Sequence, residues 1–285
     1  NMAEADTEAW EAAYNKLTDK QKEFYQENVE MVKNVLRWST SLYDAETGGF
    51  YYSKSAKENP DMFAPNLETT NQVRGAYKSF GVLKRMPDDL REKTLKFFQD
   101  RQDADTGYFV EPEYAEATNE RQLSRNLAWG TANVPLLGGE ILYKTPGERA
   151  TELLEQSSSA NDDSGEEINP FAGMPDYMQS PEAYRAWIEG LGWETGSWTP
   201  GDVFGNSVRH IAGIPAEYAA PYWEEAVDFL YTTQNPETGM WGSGGFQQTF
   251  SGTYKITDFM KAVPKEFYPD PDNWFPNLDN YLKTV

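Results

Sequence analysis

Apolar side chains recur along this chain at alternating spacings of four and three residues. These positions are Met31, Val35, Trp38 and Leu42, then Val73, Tyr77 and Phe80, then Trp223, Val227 and Leu230, and finally Ile256, Met260 and Val263. Such spacing brings the side chains onto one face of a helix, whereas a half-buried strand would alternate at every second residue. The pattern therefore predicts amphipathic helices and an all-α fold.

Between these stretches stands a pattern with four defined residues, which we call the tetrad. It reads acid, Thr, Gly, any residue and then an aromatic. It occurs four times, at Glu46–Phe50, Asp105–Phe109, Glu194–Trp198 and Glu237–Trp241. Four copies indicate an internal repeat. Because glycine gives the backbone the freedom for a tight turn, and the aromatic can fold back over it, we interpret the repeat as a hairpin. Each hairpin is predicted to contain a helix, a Thr-Gly turn, a loop and a second helix.

Repeated hairpins favour one continuous assembly, because a single hairpin cannot bury its own apolar face. We therefore expect a single domain over residues 1–285. The longest interval between copies contains a polar, turn-rich stretch, which predicts an exposed insert near residues 156–169. Its acids lack the ligand spacing of an EF-hand loop, so a solvated loop is favoured over a calcium site. After the fourth copy, Leu278, Tyr281 and Leu282 predict the first helix of a further hairpin.

The composition excludes several classes of function. The chain has 46 acidic against 25 basic residues and a formal charge of −21, which repels nucleic acid. A nucleic-acid partner is therefore not expected. Membrane insertion is not expected either, because no apolar run is long enough to span a membrane. Without cysteine, and with His210 as the single histidine, the chain is predicted to use no metal and no cofactor. No signal peptide is recognisable; the compartment stays open with an extracellular or cell-surface location favoured, and the oligomeric state stays open too.

Two of the copies carry a longer similarity. The stretch from Ala226 to Trp241, with Gln234, resembles the Gln–Trp repeat of the terpenoid-cyclase and protein-prenyltransferase superfamily, and the stretch from Lys96 to Phe109 resembles it more loosely. The resemblance implies an α/α toroid with at least four hairpins, whose inner and outer helix rings leave a cleft at one end. It concerns the hairpin rather than any particular reaction.

The chemistry of that superfamily is not matched by this chain. Its cyclases use an Asp-x-Asp-Asp motif, for which the nearest string here is Asp270-Pro-Asp272-Asn273, and its prenyltransferases need a zinc site that contains cysteine. The wider set of α/α toroids includes six-hairpin-type polysaccharide lyases and glycoside hydrolases. By analogy of fold, the resemblance therefore implies an enzyme that acts on a poly- or oligosaccharide.

One predicted helix carries the strongest candidates for catalysis. Asp202, Asn206, Arg209 and His210 stand at i, i+4, i+7 and i+8, on neighbouring parts of one helix face. Asn206 and Arg209 would neutralise the carboxylate of a uronic acid, and His210 or a nearby tyrosine would remove the α-proton in a β-elimination. In the structural alternative, Asp202 caps the helix, Arg209 pairs with an acid and the lone histidine is structural.

Other candidates would bind the substrate. Asn71 and Arg74 repeat the Asn-x-Val-Arg spacing of Asn206 and Arg209 on a corresponding helix, where they would line the cleft or serve as inherited structural ties. Aromatic stacking faces are expected at Trp198, Trp241 and Phe246. A hydrolase would need two carboxylates across a cleft, for which the candidates are Glu68, Glu194, Asp202 and Asp258.

The sequence leaves two main functions open. The leading expectation is a carbohydrate-active lyase or glycoside hydrolase, and the alternative is a glycan-binding or scaffold protein that keeps the toroid without its chemistry. A carbohydrate ligand is expected in the first case and for the glycan-binding protein. An isoprenoid cyclase fits the repeat but lacks the acid motif.

Overall fold

The computed structural model describes residues 4–117, 119–159 and 169–285. All regular elements in these ranges are helical, and the extended pairing there is limited to isolated bridges of Tyr43 with Phe50 and Gln102 with Phe109. The α-helices are α1 (Glu4–Asn15), α2 (Asp19–Ser41), α3 (Lys54–Lys57), α4 (Leu67–Ser79), α5 (Asp88–Gln99), α6 (Glu120–Leu136), α7 (Pro146–Ser159), α8 (Pro181–Glu189), α9 (Trp198–Ile211), α10 (Ala216–Thr233), α11 (Phe246–Ala262) and α12 (Leu278–Thr284). The all-α prediction is confirmed.

The chain divides into two compact units, an N-terminal unit that ends at Phe97 and a C-terminal unit that covers Phe98–Val285. The single domain that the sequence predicts over residues 1–285 stays a prediction. None of the described helices combines the length and the low polarity that crossing a membrane requires.

The N-terminal unit contains the first hairpin, formed by α2 and α4. A capping box starts α2, because the Thr18 hydroxyl accepts from the Gln21 N–H while the Gln21 side chain accepts from the Thr18 N–H. A small apolar core, made of Leu42, Phe50, Val73 and Tyr77, lies where α2 ends.

The apolar stripe predicted along α2 is only partly buried. Leu42, just after the helix, is 1% exposed, whereas Met31 and Trp38 are 54% and 50% exposed. Helical spacing determines that side chains share a face, but it does not determine whether another element covers that face.

The C-terminal unit is organised around α9, which packs against both α6 and α11, while α8 packs against α10. The backbones of α9 and α11 lie very close together, because a side chain on Gly201 would meet the backbone of Gly252. Aromatic rings fill the core beside this crossing, with the ring centroids of Phe204 and Phe259 4.3 Å apart. This packing positions the residues of α9 that the sequence singled out.

Three of the four tetrads form the same turn. The threonine N–H donates to a side-chain oxygen three residues earlier. Thr47 donates to Asp44, Thr106 to Asp103 and Thr238 to Asn235. The next residue is a glycine with positive φ, namely 85° at Gly48, 78° at Gly107 and 66° at Gly239. The tetrad acids Glu46, Asp105 and Glu237 are exposed. The turn therefore depends on the earlier Asp or Asn and on the glycine, rather than on the acid of the tetrad.

Each of these three turns is seated against the chain that follows its own hairpin. A side chain on Gly48 would meet the backbone of Lys93 in α5, one on Gly107 that of Lys144 just before α7, and one on Gly239 that of Tyr281 in α12. The aromatics that close the turns are buried, since Phe50, Phe109 and Trp241 are at most 1% exposed. The helix predicted around Leu278, Tyr281 and Leu282 is confirmed as α12.

The third tetrad has a different structure. The residue three positions before Thr195 is Gly192, which has no side chain to accept a hydrogen bond, and α9 begins directly at Trp198. The Ser197 hydroxyl instead lies 2.7 Å from the carbonyl oxygen of Trp241 and 2.9 Å from that of Ser243. The predicted order of helix, turn, loop and helix therefore fails here, because the third tetrad starts α9 without an intervening loop.

The predicted insert near residues 156–169 is described only at its ends. Because α7 continues to Ser159, the first residues of this stretch are helical rather than loop. Residues 160–168 lie outside the described part of the chain, so the exposed loop there stays a prediction.

Candidate functional site

Three of the four residues predicted for catalysis lie on one strip of α9. Trp198, Asp202, Asn206 and Arg209 follow each other at intervals of four, four and three residues, which keeps them on one side of the helix. We call these four residues the α9 strip. Trp198 and Arg209 at its ends are exposed, Asn206 is half-buried and Asp202 is buried. At the rise of an α-helix the strip is about 16 Å long.

Asp202 is the centre of an ion-pair cluster that joins three helices. Its Oδ2 lies 2.8 Å from Nε of Arg121 on α6, and its Oδ1 lies 2.8 Å from Nζ of Lys255 on α11. Asn206 donates from Nδ2 to the backbone oxygen of Asp202 at 2.6 Å. Ser197, not Asp202, occupies the cap position of α9, so the capping role considered for Asp202 is wrong.

The surroundings of the α9 strip are cationic although the whole chain carries a formal charge of −21. Arg121, Lys255 and Arg209 outnumber the single carboxylate of Asp202 among these residues. Lys255 Nζ also lies 3.8 Å from the ring centre of Trp198, which is 45% exposed. An exposed indole beside cations suits a ligand that has both apolar faces and negative charge.

His210 follows Arg209 directly but is buried, with 1% of its surface exposed. Its Nε2 lies 2.8 Å from the Tyr108 hydroxyl, and its Nδ1 lies 2.7 Å from the Tyr177 hydroxyl and 3.2 Å from Oγ of Ser124. The structure thus separates two residues that were predicted on one face. Arg209 is exposed to solvent, whereas both ring nitrogens of His210 form hydrogen bonds in the interior.

Burial keeps the cluster around His210 uncharged at neutral pH. Loss of water around the charged form lowers the pKa of His210 to about 4. The same loss of water raises the pKa of Tyr108 and that of Tyr177 above the ordinary value for tyrosine. The ring of Tyr177 also stacks on Trp187, with 4.0 Å between the ring centroids. The imidazole is therefore held in one place by neutral hydrogen-bonding groups.

Glu120, the first residue of α6, is an exposed acid whose pKa is raised by its surroundings. Burial, followed by the negative charge of Asp176, raises the pKa of its carboxyl. Its own charge contributes to raising the pKa of Tyr108 and that of Tyr177, so Glu120 lies near the His210 cluster. The next residue, Arg121, pairs with Asp202. Glu120 therefore lies near the His210 cluster, and it precedes the residue that pairs with Asp202.

Trp241, predicted to stack against a ligand, is instead a core residue. It is 1% exposed, and its indole N–H donates to the backbone oxygen of Leu230 at 2.8 Å. A ring with so little exposed area offers no face to a ligand, which corrects the prediction for Trp241. Phe246, by contrast, is 56% exposed, and its ring stacks on Phe250 at 5.8 Å between centroids.

Asn71 and Arg74 lie together on α4 in the N-terminal unit. Nη2 of Arg74 donates to Oδ1 of Asn71 at 2.9 Å, and burial lowers the pKa of Arg74. Their direct contact is consistent with a structural tie between the two side chains.

Sequence reasoning did not find the partners of Asp202 and His210. Arg121 and Lys255 come from α6 and α11, and they meet Asp202 only because these helices pack against α9. Of the groups around His210, only Tyr108 carried a signal. It is the aromatic at the variable position of its tetrad, where the other copies have Gly49, Ser197 and Met240.

In the described ranges, no group of three or more His, Asp or Glu side chains is placed to hold a metal ion. Comparison of the chain with protein-family models, with curated proteins and with solved structures finds no match. The likeness to the Gln–Trp repeat therefore stays a prediction from the sequence.

Proposed function

We propose that this protein acts on a poly- or oligosaccharide, which it holds along the α9 strip. The observation that carries the proposal is the exposed Trp198 at one end of a strip whose other members are Asp202, Asn206 and Arg209. An indole packs against the apolar faces of sugar rings, while the polar side chains hydrogen-bond to their hydroxyls. The α/α toroid implied by the Gln–Trp likeness would place such helices at a cleft, which supports the same proposal.

The charges favour an acidic saccharide over a neutral one. Arg121, Lys255 and Arg209 supply positive charge where the chain as a whole is strongly negative. Long-range repulsion is screened beyond about 10 Å at 0.1 M salt, so the cations within contact distance decide the final binding step.

Hydrolysis is better supported than elimination. Elimination needs a base that reaches the α-proton of the sugar, yet His210 is 1% exposed and both of its ring nitrogens are engaged by Tyr108, Tyr177 and Ser124. Hydrolysis instead needs one carboxyl that holds its proton and a second carboxylate. Glu120 and Asp202 are our candidates for these two roles.

A glycan-binding protein without catalysis is the second candidate. The burial of His210 favours it, because the one histidine of the chain is closed off from a surface ligand. In that case the α9 strip would bind a saccharide and release it unchanged.

The first test is incubation with a panel of neutral and uronic acid polysaccharides, in which new reducing ends and the ultraviolet absorbance of unsaturated sugars are measured. We expect reducing ends without absorbance, and their loss in Asp202→Asn or Glu120→Gln. Reducing ends with absorbance would establish elimination and overturn the roles of Glu120 and Asp202. Binding without either product would establish the second candidate.

Trp198→Ala tests the binding strip itself. We expect the affinity for a bound saccharide to fall about tenfold, because losing an aromatic contact costs about 1.5 kcal/mol. Trp38→Ala is the matched control, since Trp38 is 50% exposed on α2 and should leave the affinity unchanged. Equal losses in both variants, measured by calorimetry, would contradict the proposed strip.

A further inference from the structure

An apolar stripe runs along α2 in the N-terminal unit and is open to solvent. Phe24, Met31 and Trp38 follow each other at intervals of seven residues and are 68%, 54% and 50% exposed. Because seven residues make nearly two turns of an α-helix, the three side chains share one face over about 21 Å. We call them the α2 stripe. A groove of about 600 Å³ lies along the same face, lined by Glu27, Glu30, Met31, Asn34, Val35 and Trp38.

The side of α2 that packs within the chain is a different one. The ring of Tyr25 lies 5.8 Å from that of Trp10 and 5.4 Å from that of Tyr14, both on α1, and Leu36 packs against the small apolar core. Tyr25 and Leu36 point more than a quarter turn away from the α2 stripe. A helix with apolar side chains on two sides buries both of them only if a second element covers the stripe.

The charges of α2 favour a second copy of the chain as this element. The helix contains four acidic and four basic residues, so it has no net charge, whereas the whole chain carries −21. Two copies can therefore meet along α2 without local repulsion. The charges beside the stripe are also separated along its length, with Glu27 between Phe24 and Met31 and with Arg37 next to Trp38. Helical spacing puts Glu27 and Arg37 on the same side of the stripe.

We infer that two copies of this chain pair through the α2 stripe, antiparallel and about a two-fold axis at Met31. Phe24 and Trp38 stand equally far from Met31 along the helix. The axis therefore places Met31 against its counterpart and Phe24 of one copy in the groove beside Trp38 of the other. Pairs of aromatic rings and a methionine at such a contact bury apolar surface that is now in water.

The same axis pairs opposite charges. It brings Arg37 of one copy beside Glu27 of the other, and by symmetry this contact occurs twice. The Arg37 guanidinium donates to the neutral side chain of Asn34 within its own helix, which leaves its positive charge for the Glu27 carboxylate of the second copy. A parallel pair would instead put Glu27 against Glu27 and Arg37 against Arg37, and like charges in contact disfavour it.

The contact is limited to one face of one helix, so it is smaller than the about 800 Å² per partner of a standard interface. We therefore expect a weak dimer that forms at high protein concentration. Its association should strengthen with added salt, because salt screens the repulsion between two chains of charge −21.

Sedimentation equilibrium of the whole protein over a range of concentrations tests the pairing. Met31→Glu is expected to weaken association at least tenfold, because the two new carboxylates meet at the axis. Met62→Glu is the matched control, since Met62 is 71% exposed in the same unit and lies outside the α2 stripe. A monomer at every concentration, or equal weakening by both variants, would overturn the proposal. Saccharide binding along the α9 strip should be unchanged in Met31→Glu, so the outcome is independent of the proposed function.

Disulfide cross-linking tests the antiparallel arrangement. The chain contains no cysteine, so a single introduced thiol can form a disulfide only between copies. We expect Met31→Cys to cross-link with itself, and Phe24→Cys to cross-link in a mixture with Trp38→Cys. Phe24→Cys alone should remain uncross-linked, because the two thiols of an antiparallel pair lie about 21 Å apart along the helix. Efficient cross-linking of Phe24→Cys with itself would show a parallel pair and overturn the arrangement.

Exchanging the charges tests the contact between Glu27 and Arg37. Each of Glu27→Arg and Arg37→Glu alone should weaken association, because it brings like charges together. The double variant should restore association, because the opposite charges meet again with their places exchanged. A double variant that associates no better than the single variants would refute this contact.

Discussion

His210 is the residue whose behaviour depends most on its surroundings. It is the single histidine of the chain, and two tyrosine hydroxyls and a serine hydroxyl surround its ring. Because the partners of the ring in the described part of the chain are neutral hydroxyls, the protonated form is strongly disfavoured. The cluster therefore stabilises the fold only while the imidazole is neutral.

This gives a prediction for stability against pH. The pKa of His210 is about 4 in the folded chain against 6.5 for an unperturbed histidine. As pH falls below 6.5, the unfolded chain takes up the proton first, so the free energy of unfolding decreases until pH reaches about 4. The gap corresponds to a loss of about 3 kcal/mol across that window. Urea unfolding at several pH values, compared between the wild type and His210→Gln, measures this contribution.

The same prediction can be checked directly by proton NMR. With one histidine in the chain, the imidazole Cε1–H signal reports the titration without assignment of other residues. We expect that signal to keep its neutral shift down to about pH 5. A midpoint near 6.5 would show that the ring is accessible to water and would contradict the buried cluster.

The candidate site could be predicted only in part at this scale. Asp202, Asn206 and Arg209 were found because helical periodicity alone places them on one face. The sequence did not predict that Arg209 is exposed while His210 is buried. Adjacent residues on a helix point about 100° apart, and only the packing of other elements decides which of them is buried. Partners on other helices, such as Lys255, carry no mark in the local sequence.

Among the elements, the Thr-Gly turn has the most specific requirements. At Gly107 the backbone has φ of 78°, and an added side chain would collide with the backbone of Lys144. The turn therefore needs glycine for two reasons, its left-handed conformation and its contact with the following chain.

Gly107→Ala separates these reasons when it is compared with Gly138→Ala. Gly138 has φ of 88° and nothing within 4 Å of an added side chain, so its substitution should cost only the conformational strain of about 1–2 kcal/mol. Gly107→Ala should cost about 3 kcal/mol or more, because overpacking adds to that strain. Denaturant unfolding of both variants provides the measurement. Equal losses would show that the contact with Lys144 contributes nothing.

The sequence predicted the tetrads as equivalent, and three of them are. The third differs because Gly192 stands where the others have Asp44, Asp103 and Asn235, so no side chain can hold the threonine N–H. That position lies outside the repeated pattern, and its role becomes visible only from the hydrogen bonds. The Asp or Asn two residues before the tetrad is thus a better marker of the turn than the acid within it.

At the scale of the whole molecule, the two compact units differ in how much apolar surface they bury. The main core of the C-terminal unit contains Phe204, Trp223, Trp241 and Phe259, all nearly inaccessible, whereas the buried cluster of the N-terminal unit is small. Apolar spacings and the tetrad repeat predicted helices on both sides of the tetrads in both units. They did not predict this difference, because the exposure of Met31 and Trp38 depends on which elements pack over α2.

We therefore expect unequal protection from hydrogen exchange. In α2 only Ser39 is buried, whereas α11 buries Gly252, Thr253, Ile256, Phe259 and Met260. Local opening is easier where less apolar surface holds an element in place, so amides of α2 should exchange well before those of α11. Exchange followed by mass spectrometry, corrected for intrinsic rates, tests the expectation. Equal protection of the two helices would contradict it.

The seating of each Thr-Gly turn on the chain that follows its hairpin has an evolutionary consequence. At the three regular turns, the chain after the hairpin supplies this support, as α5 does for Gly48 and α12 for Gly239. A deletion that ends inside a hairpin would leave the preceding turn unsupported. Duplication, loss or recombination of whole hairpins, with breakpoints in the connection after a second helix, keeps every turn supported. We therefore expect the number of copies in such a chain to change only by whole hairpins.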